Sequence, residues 1–146
     1  MSSEWGGKIN EEWKNILADY QQAKHALWPP KRRSDGWFRD EEKGHYYKWK
    51  AYHSASVCEP KEPLLFARIL SMMASQTRWG TSDYDRYNKY IKPSYEAYKL
   101  AMSSGYNVAK NEWERIKYEA ESFAYKLECE SRPDEDQLLC ISGHIS

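Results

Sequence analysis

At 146 residues, with 30% charged side chains balanced at 22 basic against 22 acidic, the chain lacks the high net charge of disordered sequences. A single core suffices for this length, so one domain spanning residues 1–146 is expected. Neutrality argues against strong nonspecific affinity for DNA, and membrane insertion is excluded because no apolar run approaches the roughly 18–20 residues that cross a bilayer.

From Ile9 onward, Ile9, Trp13, Ile16, Tyr20, Ala23 and Leu27 are spaced 4, 3, 4, 3 and 4 residues apart, one stripe on one helix face. Asn10 is placed to cap this helix, Glu11 and Glu12 suit its positive end, and Pro29 and Pro30 forbid its continuation. Residues 28–40 (WPPKRRSDGWFRD) combine two prolines with a Ser-Asp-Gly turn signal, and their two Trp and one Phe point to an ordered loop rather than a linker. Residues 41–57 carry two patterns at once. Tyr47, Trp49 and Ala51 alternate with Lys48 and Lys50 as in a strand, while His45, Trp49, Tyr52 and Ser56 share a helix face. A helix is expected, because a lone strand would have nothing to pair with.

Pro63 is well placed as the first residue of a helix through PLLFARILSMMASQ. Apolar residues nearly encircle it, so residues 64–73 are expected to be the central core element, with Arg68 the one charge that needs a partner or a route to water. After Trp79 and Gly80, the positions Tyr84, Tyr87, Ile91, Tyr95, Tyr98 and Met102 keep helical spacing through Pro93, as two helices or one kinked helix would. Gly105 ends that run. Tyr106, Ala109, Trp113, Ile116, Ala120, Phe123 and Leu127 then follow over three heptads, and the short connection between the two runs predicts an antiparallel helical hairpin. Beyond Pro133 come an acidic turn and a short apolar tail that docks or frays. The predicted fold is all-α, a compact bundle of four to six helices.

Twenty-two aromatic residues (7 Trp, 12 Tyr, 3 Phe) stand in for scarce aliphatic ones, so the core is expected to be aromatic, with Tyr and Trp polar ends at its boundary. Charge is unevenly spread. Residues 24–50 hold eight basic against four acidic side chains, residues 51–110 eight against five, and residues 111–146 four against nine. Complementary helix faces within one fold account for this, and so would a basic binding surface beside an acidic one. Cys58, Cys129 and Cys140 are an odd number with no close-spaced pair, and the N-terminus has no basic-then-apolar leader pattern. A reducing cytoplasm is the expected location.

Few constellations suggest chemistry. His45, His53 and Cys58 lie eight and five residues apart with no fourth ligand nearby, unlike the paired short spacings of a zinc site, so no metal is expected. Asp83 and Asp85 could chelate a divalent ion, but acids following Thr81 and Ser82 ordinarily start a helix. Neither a phosphate-binding glycine loop nor a local nucleophile signature occurs, so no cofactor and no catalytic residue is expected. An enzyme of unfamiliar type would need Asp83, Asp85, His45 and His53 to converge in space.

The basic-aromatic stretch from Lys31 to His53 carries the strongest functional signal. Lys31, Arg32, Arg33, Arg39, Lys48 and Lys50 could neutralise phosphates, while Trp37, Tyr46, Tyr47, Trp49 and Tyr52 could stack on bases or pack on a protein partner. A half-buried helix with a solvated basic face has the same composition. The leading expectation is a non-catalytic interaction protein, an inhibitor or adaptor binding a protein or nucleoprotein partner. The alternative is direct nucleic-acid binding through residues 31–53. The heptad seam could also join two copies of the chain as a homodimer.

Overall fold

Asn10 starts the first helix, its side chain accepting a hydrogen bond from the Trp13 N–H at 2.9 Å. In the computed structural model, which describes residues 10–29, 40–77, 80–133, 136–137 and 140, this helix is α1, Glu11–Leu27. Trp13, Ile16, Tyr20, Ala23 and Leu27 of the expected stripe are all buried. Helix α2, Glu41–Val57, is capped by Asp40, which accepts from the Lys43 N–H at 3.0 Å, so the ambiguous segment is a helix. Its C-terminal carbonyls are gathered by Lys61, whose Nζ donates to Ala55, Ser56 and Cys58, a cation at the negative end of a helix.

Helix α3, Pro63–Gln76, begins with its proline at the position where a missing N–H costs nothing. Leu64, Leu65, Ala67, Ile69, Leu70, Met72, Met73 and Ala74 are buried, and they contribute to both clusters of the core. The larger cluster joins α3 to Trp13 and Ile16 of α1 and to Ala51 and Ala55 of α2. The smaller one joins it to Tyr90, Ile91 and Ala120 further along the chain. Polar ends of the aromatic residues find partners, as when Trp13 Nε1 donates to the Pro60 carbonyl at 2.9 Å.

Helix α4, Asp83–Arg86, a π-helical segment Tyr87–Ile91, and helix α5, Lys92–Ser103, run on without a break, since Arg86, Tyr87, Ile91 and Lys92 all keep right-handed helical torsions. The π turn lies next to Pro93, which has no N–H to give and whose ring would crowd the carbonyl four residues back. The Lys92 N–H reaches five residues back to the Tyr87 carbonyl, a widening that makes room for that ring. Helix α5 ends in a Schellman motif. Gly105, at φ +90, lets its own N–H meet the Met102 carbonyl and the Tyr106 N–H meet that of Ala101.

Helix α6, Lys110–Glu130, follows a short connection. Its Trp113 stacks on Tyr95 of α5 with ring centroids 5.5 Å apart and planes 6° from parallel. Ile116 and Ala120 are buried against their own chain, with Trp113 and Phe123 packed at the edges of the same clusters. Much of the heptad seam proposed for a homodimer is therefore spent within one chain. Arg86 fixes the α4 end, donating through Nε to the Ala74 carbonyl at 2.6 Å, approaching Glu119 at 3.8 Å and lying 4.9 Å from the Phe123 ring.

Cys129 at the end of α6 forms a disulfide with Cys140, with Cα atoms 5.5 Å apart, and Tyr125 Oη donates to the Cys140 carbonyl at 2.6 Å. The cysteine count had not suggested a pairing. Disulfides persist where the surroundings are oxidising and are rare in a reducing cytoplasm, so the expected cytoplasmic location loses the thiol argument behind it. Among the described residues there is no strand, and no helix is long and apolar enough to cross a membrane.

Candidate functional site

Helix α2 sits close against α1 because its inner face is made of small residues: Gly44, Ala51 and Ala55 are buried there. A Cβ added at Gly44 would stand 2.5 Å from Leu27 Cγ and Cδ2, so only glycine permits this crossing. With small residues inside, the bulky ones move to the flanks and the outside. Tyr47 and Tyr52 take the flanks, packed against the core, with Tyr52 edge-on to Tyr90 at 5.6 Å. Tyr46 (61% exposed), Trp49 (40%) and Val57 (81%) remain outside, and Trp49 stacks on His53 at 5.5 Å. Positions 46, 49, 53 and 57 recur at intervals of 3 and 4, a stripe of three aromatic rings and one valine down the exposed face of one helix.

The basic half of the expected surface divides differently. Lys31, Arg32, Arg33, Trp37 and Arg39 lie outside the described residues. Lys48 does not face the solvent as expected. Its side chain is only 4% exposed, because position 48 falls on the inner face with Gly44, Ala51 and Ala55. Burial lowers its ammonium pKa, and Nζ lies 3.0 Å from His45 Nδ1 and 5.2 Å from the Trp49 ring centroid. Lys50 reaches Asp19 of α1 at 3.6 Å and the Tyr47 ring at 5.9 Å. Of the six cations expected to meet phosphate, the two described ones thus have partners inside the fold.

The residues considered for catalysis are engaged separately. Asp83 accepts from Lys126 Nζ at 2.6 Å, His45 meets Lys48, and His53 stacks on Trp49, while Asp85 lies in the first turn of α4, where its backbone N–H donates to the capping Ser82 Oγ. Cys58 donates to Glu12 Oε2 at 3.0 Å in a groove between α1 and α2, and burial followed by that carboxylate pushes its thiol pKa up to about 11, far from a reactive thiolate. Among the described residues no three His, Cys, Asp or Glu side chains are grouped to hold a metal ion.

A second feature is a cleft of about 570 Å³ where α1, α3, α5 and α6 meet. Arg68 of α3 forks onto Glu112 of α6, Nε to Oε2 at 2.9 Å and Nη2 to Oε1 at 3.0 Å, and Tyr98 Oη donates to the same carboxylate at 2.5 Å. Burial alone would raise the Glu112 pKa, but the bonds from Arg68 and Tyr98 and the nearby positive charges hold it below the usual carboxylate value. Lys24 of α1, Trp28 at the end of α1 and Arg115 of α6 complete the wall. Sequence reasoning singled out Arg68 as needing a partner. It had no means of finding Glu112, 44 residues away. The chain matches no protein-family model, and comparison with curated proteins and with solved structures returns no match.

Proposed function

We propose that the chain is a non-catalytic interaction module of the inhibitor or adaptor type that docks a protein partner on the exposed face of α2. The observation behind this reading is the stripe of Tyr46, Trp49, His53 and Val57, side chains left in water on a helix whose other face packs against α1 and α3. Aromatic anchors of this kind dominate the energetics of protein interfaces. Residues 31–39, just before α2, carry four basic side chains against one acidic, so the matching surface on the partner is acidic and apolar. Nucleic acid fits the same helix less well, because Lys48 is turned inward and Lys50 is held by Asp19.

The test is co-precipitation from the native host with and without nuclease, using the chain and its Tyr46→Ala, Trp49→Ala double variant. Support would be an acidic protein retained after nuclease and lost with the double variant, while Tyr118→Ala on the distant α6 retains it. Retention that nuclease abolishes would transfer the site to nucleic acid. A capture indifferent to the double variant would overturn the assignment to α2.

A further inference from the structure

We infer that the cleft between α1, α3, α5 and α6 is a binding site for a small phosphate-bearing molecule with a planar ring, a site separate from the α2 face. The first ground is its charge. Among the described residues the cleft is lined by Lys24, Arg68 and Arg115 against one carboxylate, Glu112, a local excess of positive charge in a chain that is neutral overall. The second ground is how that charge is distributed. Glu112 is hydrogen-bonded by the Arg68 fork and the Tyr98 hydroxyl at the cleft floor, and Arg115 acts on it only through its charge, without a hydrogen bond. Lys24 and Arg115 have no hydrogen-bonded or ion-paired partner among the described residues, and both border the same space. Two cations that border one cavity from different helices with their hydrogen-bond donors unspent among the described residues suit a dianion better than a carboxylate, because each can give a charge-assisted hydrogen bond to a different phosphate oxygen.

The third ground is the remaining wall. Trp28 offers a ring 43% exposed beside the cations, Met72 adds apolar surface, and Ser71 and Asn111 supply polar groups that can orient a bound molecule. A volume of about 570 Å³ falls in the range of small-molecule sites, which combine apolar walls with a few placed polar groups. Helix α3 supplies the rigid floor, since its neighbours on both sides are core residues. Ring stacking on Trp28 with a phosphate between Lys24 and Arg115 uses each of these features once.

Isothermal titration calorimetry with adenosine 5′-monophosphate, inorganic phosphate and adenosine tests the site. Saturable binding of the monophosphate is expected, weaker binding of phosphate and none of adenosine. Lys24→Gln with Arg115→Gln should weaken the monophosphate at least about tenfold, the worth of one charge-assisted contact. Both side chains are exposed and neither is hydrogen-bonded among the described residues, so this variant should keep its helical circular dichroism, which is measured alongside. Trp28→Ala should weaken the monophosphate about fivefold or more and leave inorganic phosphate unchanged, since only the ring loses its stacking surface. No saturation up to about 10 mM, a strength below that of any specific site, would overturn the inference. So would equal affinity in the folded double variant. Equal binding of phosphate and monophosphate would remove the stacking role of Trp28 and, with it, the ring from the ligand class.

Discussion

Arg68 and Glu112 lie 44 residues apart in sequence and meet as a two-pronged ion pair, the guanidinium of α3 gripping both carboxylate oxygens of α6. This pair lets one charge sit on the most apolar helix of the chain. It also ties the central core element to the last helix at a point that Tyr98 of α5 reinforces.

Breaking the pair from one side should cost more than its net worth, because the surviving partner keeps its desolvation without its counter-charge. Arg68→Leu is expected to lose roughly 2–3 kcal/mol, somewhat under the 3–5 of fully buried pairs, since both side chains keep some exposure. The pH profile gives a second readout. Glu112 has its folded pKa below the unfolded value, so its stabilisation is present above about pH 4.3 and is lost as pH falls through the folded value. Urea denaturation of Glu112→Gln at several pH values should show a lower but flatter acid limb than the parent chain.

Glu62 should behave with the opposite sign. It precedes α3 and is buried, with Oε1 lacking a hydrogen-bond partner among the described residues and its carboxyl pKa raised by burial despite a bond from Tyr106. Tyr106 is in turn pushed up to about 12 by burial and by Glu62. A raised folded pKa favours the fold below about pH 4.3, and that contribution is lost as pH rises through the folded value. At neutral pH the buried carboxylate is a cost. Glu62→Gln is expected to stabilise by about 1 kcal/mol at pH 7 and to have no benefit near pH 4, measured by the same denaturation series.

Gly44 is a residue whose ordinary rule is reversed by its surroundings. In an exposed helix, Gly→Ala would stabilise by about 1 kcal/mol. Here the new Cβ would press on Leu27 at 2.5 Å, and Leu27 is itself buried and unable to step aside. Overpacking of this kind typically costs 1–3 kcal/mol, so Gly44→Ala is expected to lower the melting temperature by roughly 3–9 °C in differential scanning calorimetry. An unchanged or higher value would mean that α1 and α2 do not cross as closely as described.

These cases also show where sequence was a sufficient guide. Helix α1 was legible from end to end because its stripe, its Asn10 cap and its Pro29 stop are all local signals. The burial of α3 was legible because only a core tolerates apolar residues all round a helix. What lay beyond reach depended on partners distant in the chain. Lys48 looked like part of a basic surface until the small residues at 44, 51 and 55 fixed which side of α2 faces α1. The aromatic half of the candidate face was readable at Tyr46 and Trp49, whereas Tyr47 and Tyr52 turned to the core. The cleft, assembled from four helices, left no local trace except the isolated charge of Arg68.

The disulfide yields the last prediction. Cys129 and Cys140 close a short loop, with a sequence separation of 11, that fastens the segment after α6 to the end of that helix. Cys58 is buried and unpaired, so the unreduced chain in denaturant should release one equivalent of thiol to a chromogenic disulfide reagent, and three after reduction. Reduction should also destabilise the fold, by roughly 2–3 kcal/mol if the closed loop acts mainly on the unfolded ensemble. Hydrogen exchange locates the loss. On reduction, protection should fall around residues 125–133, where Tyr125 reaches the Cys140 carbonyl and the last turn of α6 ends, and remain unchanged in α3. Three thiols from the unreduced chain would show that no such cross-link holds this end of the molecule.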